Sequence, residues 1–153
     1  MDGERTYHFV GVGGSGMSPL AQIIIELGHK VTGSDIRYSP HLADLEVSGA
    51  KVYSGHDPEV ACQADVVVVS AAVPHDDPEV AAARAAGIPV ISRAQLLGQL
   101  FEDRRGIGVT GTHGKTTTSG MLATIFMEAG LDPTVAVGAG PTWAPSGGSA
   151  GSG

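Results

Sequence analysis

Hydrophobic and polar positions alternate along this chain between two periods. Short apolar runs predict strands at Tyr7–Val12, Lys30–Ser34, Lys51–Tyr53, Val66–Ser70, Ile88–Ile91, Ile107–Thr110 and Thr134–Val137. Between them, helical spacing places Met17, Leu20, Ala21, Ile24 and Leu27 on one face. It does the same for Met121, Leu122, Ile125, Phe126 and Ala129 after Lys115. Val66-Val67-Val68-Val69 lacks any polar alternation, which predicts a central strand buried on both faces.

One punctuation recurs. An amphipathic stretch ends in glycine, at Gly28, Gly49, Gly87 and Gly130, and an apolar run follows. Glycine takes the left-handed conformation after a helix at little cost. Helix starts are marked as well. Asp57-Pro58-Glu59 and Asp77-Pro78-Glu79 each offer a cap, a proline at the first helical position and an acid at the positive end of the dipole. Adjacent Asp76 and Asp77 therefore read as a helix cap rather than a catalytic pair. Ser92-Arg93-Ala94-Gln95 reads as a capping box. Regular alternation of these elements predicts an α/β fold with a parallel sheet and right-handed crossovers.

Composition adds bounds. With 153 residues, 42% of them apolar and 16% charged, the chain has the balance of a globular domain. Aromatics make up 5%, so aliphatic side chains must fill the core. A net charge of −7 argues against nucleic acid, yet backbone N–H groups can still bind phosphate. The single cysteine, Cys62, excludes an intrachain disulfide, fits a reducing cytoplasm, and is expected as a small core residue. Neither a signal-peptide core nor a membrane-length apolar run is present, so no membrane insertion is expected.

Two glycine loops carry the candidate chemistry. Gly11-Val12-Gly13-Gly14-Ser15-Gly16 matches G-x-G-x-x-G between a predicted strand and a helix. In that context Gly11 permits the tight turn, Gly13 lets the backbone approach a diphosphate, and Gly16 lets helix and strand pack closely. Asp35 ends the second strand, 19 positions after Gly16, where an acid could hold a ribose hydroxyl. The bland alternative is a tight turn with Asp35 capping the next loop. The second loop, Gly111-Thr112-His113-Gly114-Lys115-Thr116-Thr117-Thr118, holds the Gly-Lys-Thr core of a phosphate-binding loop. Lys115 would meet the β- and γ-phosphates and the Thr116 hydroxyl would reach Mg²⁺. Against G-x-x-x-x-G-K-[ST] the first glycine is displaced, since position 109 is Val109.

The second loop resembles the ATP loop of the Mur ligases, whose pattern is Gly-Thr-x-Gly-Lys-Thr-Thr, and this accounts for the displaced glycine. His-Phe-Val-Gly-Val-Gly-Gly-Ser-Gly-Met-Ser at 8–18 is similar to the opening of the members that add alanine to muramate. Thr32–Asp35, Val66–Ala72, Ile88–Ile91 and Ala129–Thr134 are similar too, so the resemblance covers roughly residues 6–138. It implies a Rossmann-like UDP-sugar-binding domain over 1–102 and the beginning of a central ATP-binding domain over 103–138. A Gly/Ser-rich tail over 139–153 remains, looking like a flexible linker: an added segment, a natural loop cut short or a truncation. Trp143 is expected as a loop residue. The implied reaction uses Mg-ATP to turn the lactyl carboxylate of UDP-N-acetylmuramate into an acyl phosphate, which the L-alanine amine attacks. Gly11, Gly13, Gly14, Ser15 and Gly16 would hold the diphosphate, with Asp35 and Ser70 bordering the crevice. Gly111, Thr112, His113, Gly114, Lys115, Thr116 and Thr117 would bind ATP, with Lys115 acting in catalysis. His113 either touches phosphate or substrate or stands idle; the other histidines have no ligand spacing. The resemblance also implies that this chain alone is inactive. Two rival readings remain: an NAD-dependent oxidoreductase domain, resting on the first loop and Asp35 alone, and a non-catalytic UDP-sugar-binding module.

Overall fold

The computed structural model describes residues 3–37, 39–102, 104–138, 144 and 147–152. Five strands form one parallel sheet: β1 Thr6–Val10, β2 Lys30–Asp35, β3 Lys51–Ser54, β4 Val66–Val69 and β5 Val90–Ser92. Their order, β3-β2-β1-β4-β5, reverses direction at β1. The sheet is therefore the expected α/β arrangement, and the reversal creates a crevice at the carboxyl ends of β1 and β4, where open α/β sheets bind ligands.

Pleating sorts β1 between two cores. Tyr7 and Phe9 face helices α1 (Ser18–Glu26), α2 (Pro40–Val47) and α5 (Arg93–Glu102) through Leu20, Ile24, Leu45 and Leu96. Val10 faces the other side, where Val67, Val80 and Ala83 pack with α4 (Pro78–Ala85), beside the short α3 (Pro58–Ala61). Val67 and Val68 are fully buried, as an all-apolar central strand requires. The expected helix starts and ends hold in detail. Asp57 accepts from the Val60 amide, and Asp77 accepts from those of Glu79 and Val80. Ser92 and Gln95 exchange the two bonds of a capping box. Gly28, Gly49, Gly87 and Gly130 all have positive φ.

Beyond Glu102 the structure departs from expectation. Residues 107–110 form no strand, and Ile107 is exposed, because among the described residues no neighbouring strand accepts their backbone groups. The following helix, α6 (Lys115–Glu128), forms, but Met121 and Ile125 of its apolar face stand open to solvent and only Ala123 is buried. β6 (Val135–Ala136) pairs antiparallel with β7 (Gly148–Ser149), so part of the tail read as linker is ordered against α1. Gly148 lies so close to Pro19 that no Cβ would fit, which is why a glycine-rich segment can dock there. Trp143 lies outside the described residues. Cys62, expected in the core, is exposed where α3 ends, because that one-turn helix buries only Ala61. Among the described residues no helix is long and apolar enough to cross a membrane.

Candidate nucleotide-binding site

Gly11 follows β1 directly and turns with φ +78°, so its amide and that of Val12 both donate to the Ser34 carbonyl. A side chain here would sit 3.2 Å from Ser70 Cβ and from Val73, on the β4 side of the crevice. Ser70 is thus brought against the loop, and its amide donates to the Val10 carbonyl. Asp35 reaches the loop from the other side. Its Oδ2 accepts from the Gly13 amide at 2.9 Å and its Oδ1 from the Arg37 amide at 2.9 Å.

Two glycines of the loop make room for side chains distant in the sequence. Where Gly13 would carry a Cβ stand Asp35 Oδ2 at 2.9 Å, Ser39 Oγ at 3.0 Å and Leu42 at 3.3 Å. Its bareness therefore admits the β2–α2 connection. At Gly16 the neighbour is not a strand but the Arg93 side chain, whose Cδ would lie 3.1 Å from a Cβ. The close approach of loop and strand occurs instead at Gly33, where a Cβ would meet Val12 at 2.9 Å.

The loop ends in one tight turn, with Met17 and Ser18 amides donating to the Gly14 carbonyl, before α1 begins. Gly14 donates to the Gly11 carbonyl at 3.3 Å. Among the described residues the amides of Ser15 and Gly16 have no partner, so they are the loop donors free for an anion. Ser15 and Gly16 border a cavity of about 350 Å³ that Arg93, Leu97, Pro19 and Gly138 also line. Sequence reading assigned Arg93 no role beyond a capping box. The signal present was a cation in the first turn of a helix, where an acid is favoured.

The second loop stands apart from that cavity, and residues 111–117 are all exposed. Gly114 caps α6 with φ +80°, and the Lys115 ammonium folds back onto the carbonyls of Gly111 and Thr112. Among the described residues the amides of Lys115, Thr116 and Thr117 have no partner, whereas that of Thr118 donates to Gly114. An ammonium resting on carbonyls beside open helical amides is a donor set that suits phosphate.

Beneath the sheet, His8 Nδ1 lies 2.8 Å from Thr32 Oγ1 and its Nε2 lies 3.2 Å from Glu79. Ser34 and the Asp57 amide also donate to Glu79. Burial pushes the Glu79 carboxyl up, but the His8, Ser34 and Asp57 hydrogen bonds and the nearby His8 charge outweigh it and hold the group at about 2. His56 approaches the same carboxylate and that of Asp77 at 3.6 and 3.3 Å. Both carboxylates are already engaged in caps and ion pairs, so this cluster joins β1, β2, α3 and α4 rather than presenting a reactive centre.

The description "Mur ligase family, catalytic domain" matches residues 6–105, which hold the whole sheet and the first loop. The UDP-N-acetylmuramate–L-alanine ligase of Aquifex aeolicus is 50% identical over 134 residues, 88% of this chain and 30% of that protein. Its namesake from Solidesulfovibrio magneticus is 53% identical over 134 residues, 88% of this chain and 29% of that protein. The chain thus spans about 30% of the length of these curated relatives. Among solved structures, the UDP-N-acetylmuramate–alanine ligase of Thermotoga maritima superposes with a TM-score of 0.91 at 31% identity, over 98% of this chain and 36% of that one. A UDP-N-acetylmuramate:L-alanyl-gamma-D-glutamyl-meso-diaminopimelate ligase from Neisseria meningitides gives 0.85 at 35% identity, over 95% and 46%. Sheet order, glycine loop and these likenesses agree, and the chain belongs to the Mur ligase family.

Proposed function

We propose that this chain is the nucleotide-sugar-binding part of an ATP-dependent carbon–nitrogen ligase that joins L-alanine to UDP-N-acetylmuramate in peptidoglycan synthesis, and that it is inactive alone. The observation that carries the reading is identity of about 50% over 134 residues to proteins named for that reaction. The first loop supplies the nucleotide-sugar site. Gly11, Gly13 and Gly14 shape it, the Ser15 and Gly16 amides donate to the diphosphate, and Asp35 and Ser70 border the crevice. Gly111 to Thr117 form the ATP site, with Lys115 on the phosphates and Thr116 directed to Mg²⁺. The free amides and folded-back ammonium described above suit that ligand. Bound there, ATP supplies the phosphoryl group that activates the substrate carboxylate toward the alanine amine.

Calorimetry of the chain with UDP-N-acetylmuramate and with NAD tests the first site. The UDP-sugar is expected to bind and NAD to bind more weakly. NAD binding without UDP-sugar binding would overturn the reading in favour of an oxidoreductase domain. A non-catalytic UDP-sugar-binding module is the second reading, favoured by the full exposure of residues 111–117.

A further inference from the structure

We infer that Arg93 is a phosphate-binding residue of the nucleotide-sugar site, closing over the ligand from α5. The inference rests on the nucleotide-sugar reading of the first loop and adds a side chain that neither loop motif contains. Three observations carry it. First, Arg93 borders the same cavity of about 350 Å³ as Ser15 and Gly16, whose amides are open donors. Second, its side chain lies against Gly16. A Cβ on that glycine would meet Cδ at 3.1 Å, Nη1 at 3.3 Å and Nε at 3.4 Å, so Gly16 leaves room for the guanidinium beside the loop. Third, among the described residues the Arg93 side chain makes no ion pair and no hydrogen bond. It does so in a chain of net charge −7, at the start of a helix with no acid in its first turn. A cation there faces the positive end of the helix dipole, a cost that an anion between the guanidinium and the loop amides would remove. The guanidinium's forked donors match two phosphate oxygens, whereas an ammonium acts as a point charge.

The test is isothermal titration of the chain, and of its Arg93→Gln and Arg93→Lys variants, with UDP and with uridine, alongside thermal melts without ligand. Arg93→Gln is expected to weaken UDP binding about tenfold, the scale of one lost charge-assisted contact. Arg93→Lys is expected to recover part of that loss, and uridine binding to change in neither variant. Without ligand, Arg93→Gln should melt at the same temperature or slightly higher, because it removes a cation from a helix start. UDP binding by Arg93→Gln as tight as that of the parent chain overturns the assignment and leaves the nucleotide-sugar reading standing. A melting temperature lowered by several degrees together with weaker binding of both ligands shows a structural residue and overturns it too. Absence of UDP binding by the parent chain removes the reading and the assignment with it.

Discussion

The Asp35 carboxylate accepts a hydrogen bond from the Gly13 amide at 2.9 Å, tying the end of β2 to the loop that follows β1. Through its other oxygen the same carboxylate holds the Arg37 amide, so one side chain shapes both connections. The glycine loop is thereby set before any ligand arrives, which lowers the cost of ordering it on binding.

Gly13→Val tests that arrangement. An added Cβ would meet the Asp35, Ser39 and Leu42 side chains within 3.3 Å, and displacing Asp35 breaks its bond to the Gly13 amide. A stability loss of about 1–3 kcal/mol in urea unfolding is expected, with UDP-sugar affinity reduced at least about tenfold. Unchanged affinity in a stable variant would mean that the loop does not hold the diphosphate.

Lys115 lies on a separate loop, so its loss is expected to divide binding from turnover. In a ligase of the relatives' full length carrying these residues, Lys115→Ala should cut turnover by about 10²–10³-fold or more, the scale of one lost transition-state donor. UDP-N-acetylmuramate affinity should stay within about twofold, an uncertainty typical of distant, independent sites. Turnover near normal would show that the loop does not serve phosphoryl transfer.

The chain by itself is expected to release no phosphate from Mg-ATP in the presence of UDP-N-acetylmuramate and L-alanine. Its second loop is fully exposed, and positioning supplies much of the rate in phosphoryl transfer. Hydrogen exchange on the same sample should protect the five-stranded sheet more than residues 106–134. Amide product, or the reverse order of protection, would refute this picture.

Glu79 makes stability depend on acid pH. Its carboxyl is held at about 2, below its ordinary 4.5, so the unfolded chain takes up the proton first as pH falls. The stabilising contribution is therefore complete above about pH 4.5 and is lost as pH drops toward 2. Glu79→Gln should lower stability at pH 7 by about 2–4 kcal/mol, since it breaks a buried charged network, and should flatten the acid limb of the profile. Chemical unfolding between pH 2.5 and 7 measures both effects; an unaltered acid limb would assign the pH dependence elsewhere.

Sequence alone determined the sheet and its punctuation. All-apolar Val66–Val69, the Asp-Pro-Glu helix starts and the glycine stops are local signals, because capping and left-handed turns involve residues only a few positions apart. Both glycine loops were legible for the same reason, as was the Mur ligase resemblance they carry. The burial of β4 followed as well, since a strand without a polar face has nowhere else to go.

Tertiary structure decided what depends on neighbours distant in the chain. Whether residues 107–110 become a strand turns on a partner strand to pair with, and among the described residues they have none. The apolar face of α6 was read correctly as a pattern, yet burial needs a surface opposite, so Met121 and Ile125 stay exposed. Gly13 and Gly16 were found by motif, but their neighbours, Asp35 and Arg93, come from positions 22 and 77 residues away. Local periodicity cannot say which side chain a glycine makes room for. Only the packing of α5 beside the loop brings an unpaired guanidinium to the cavity where two open amides wait.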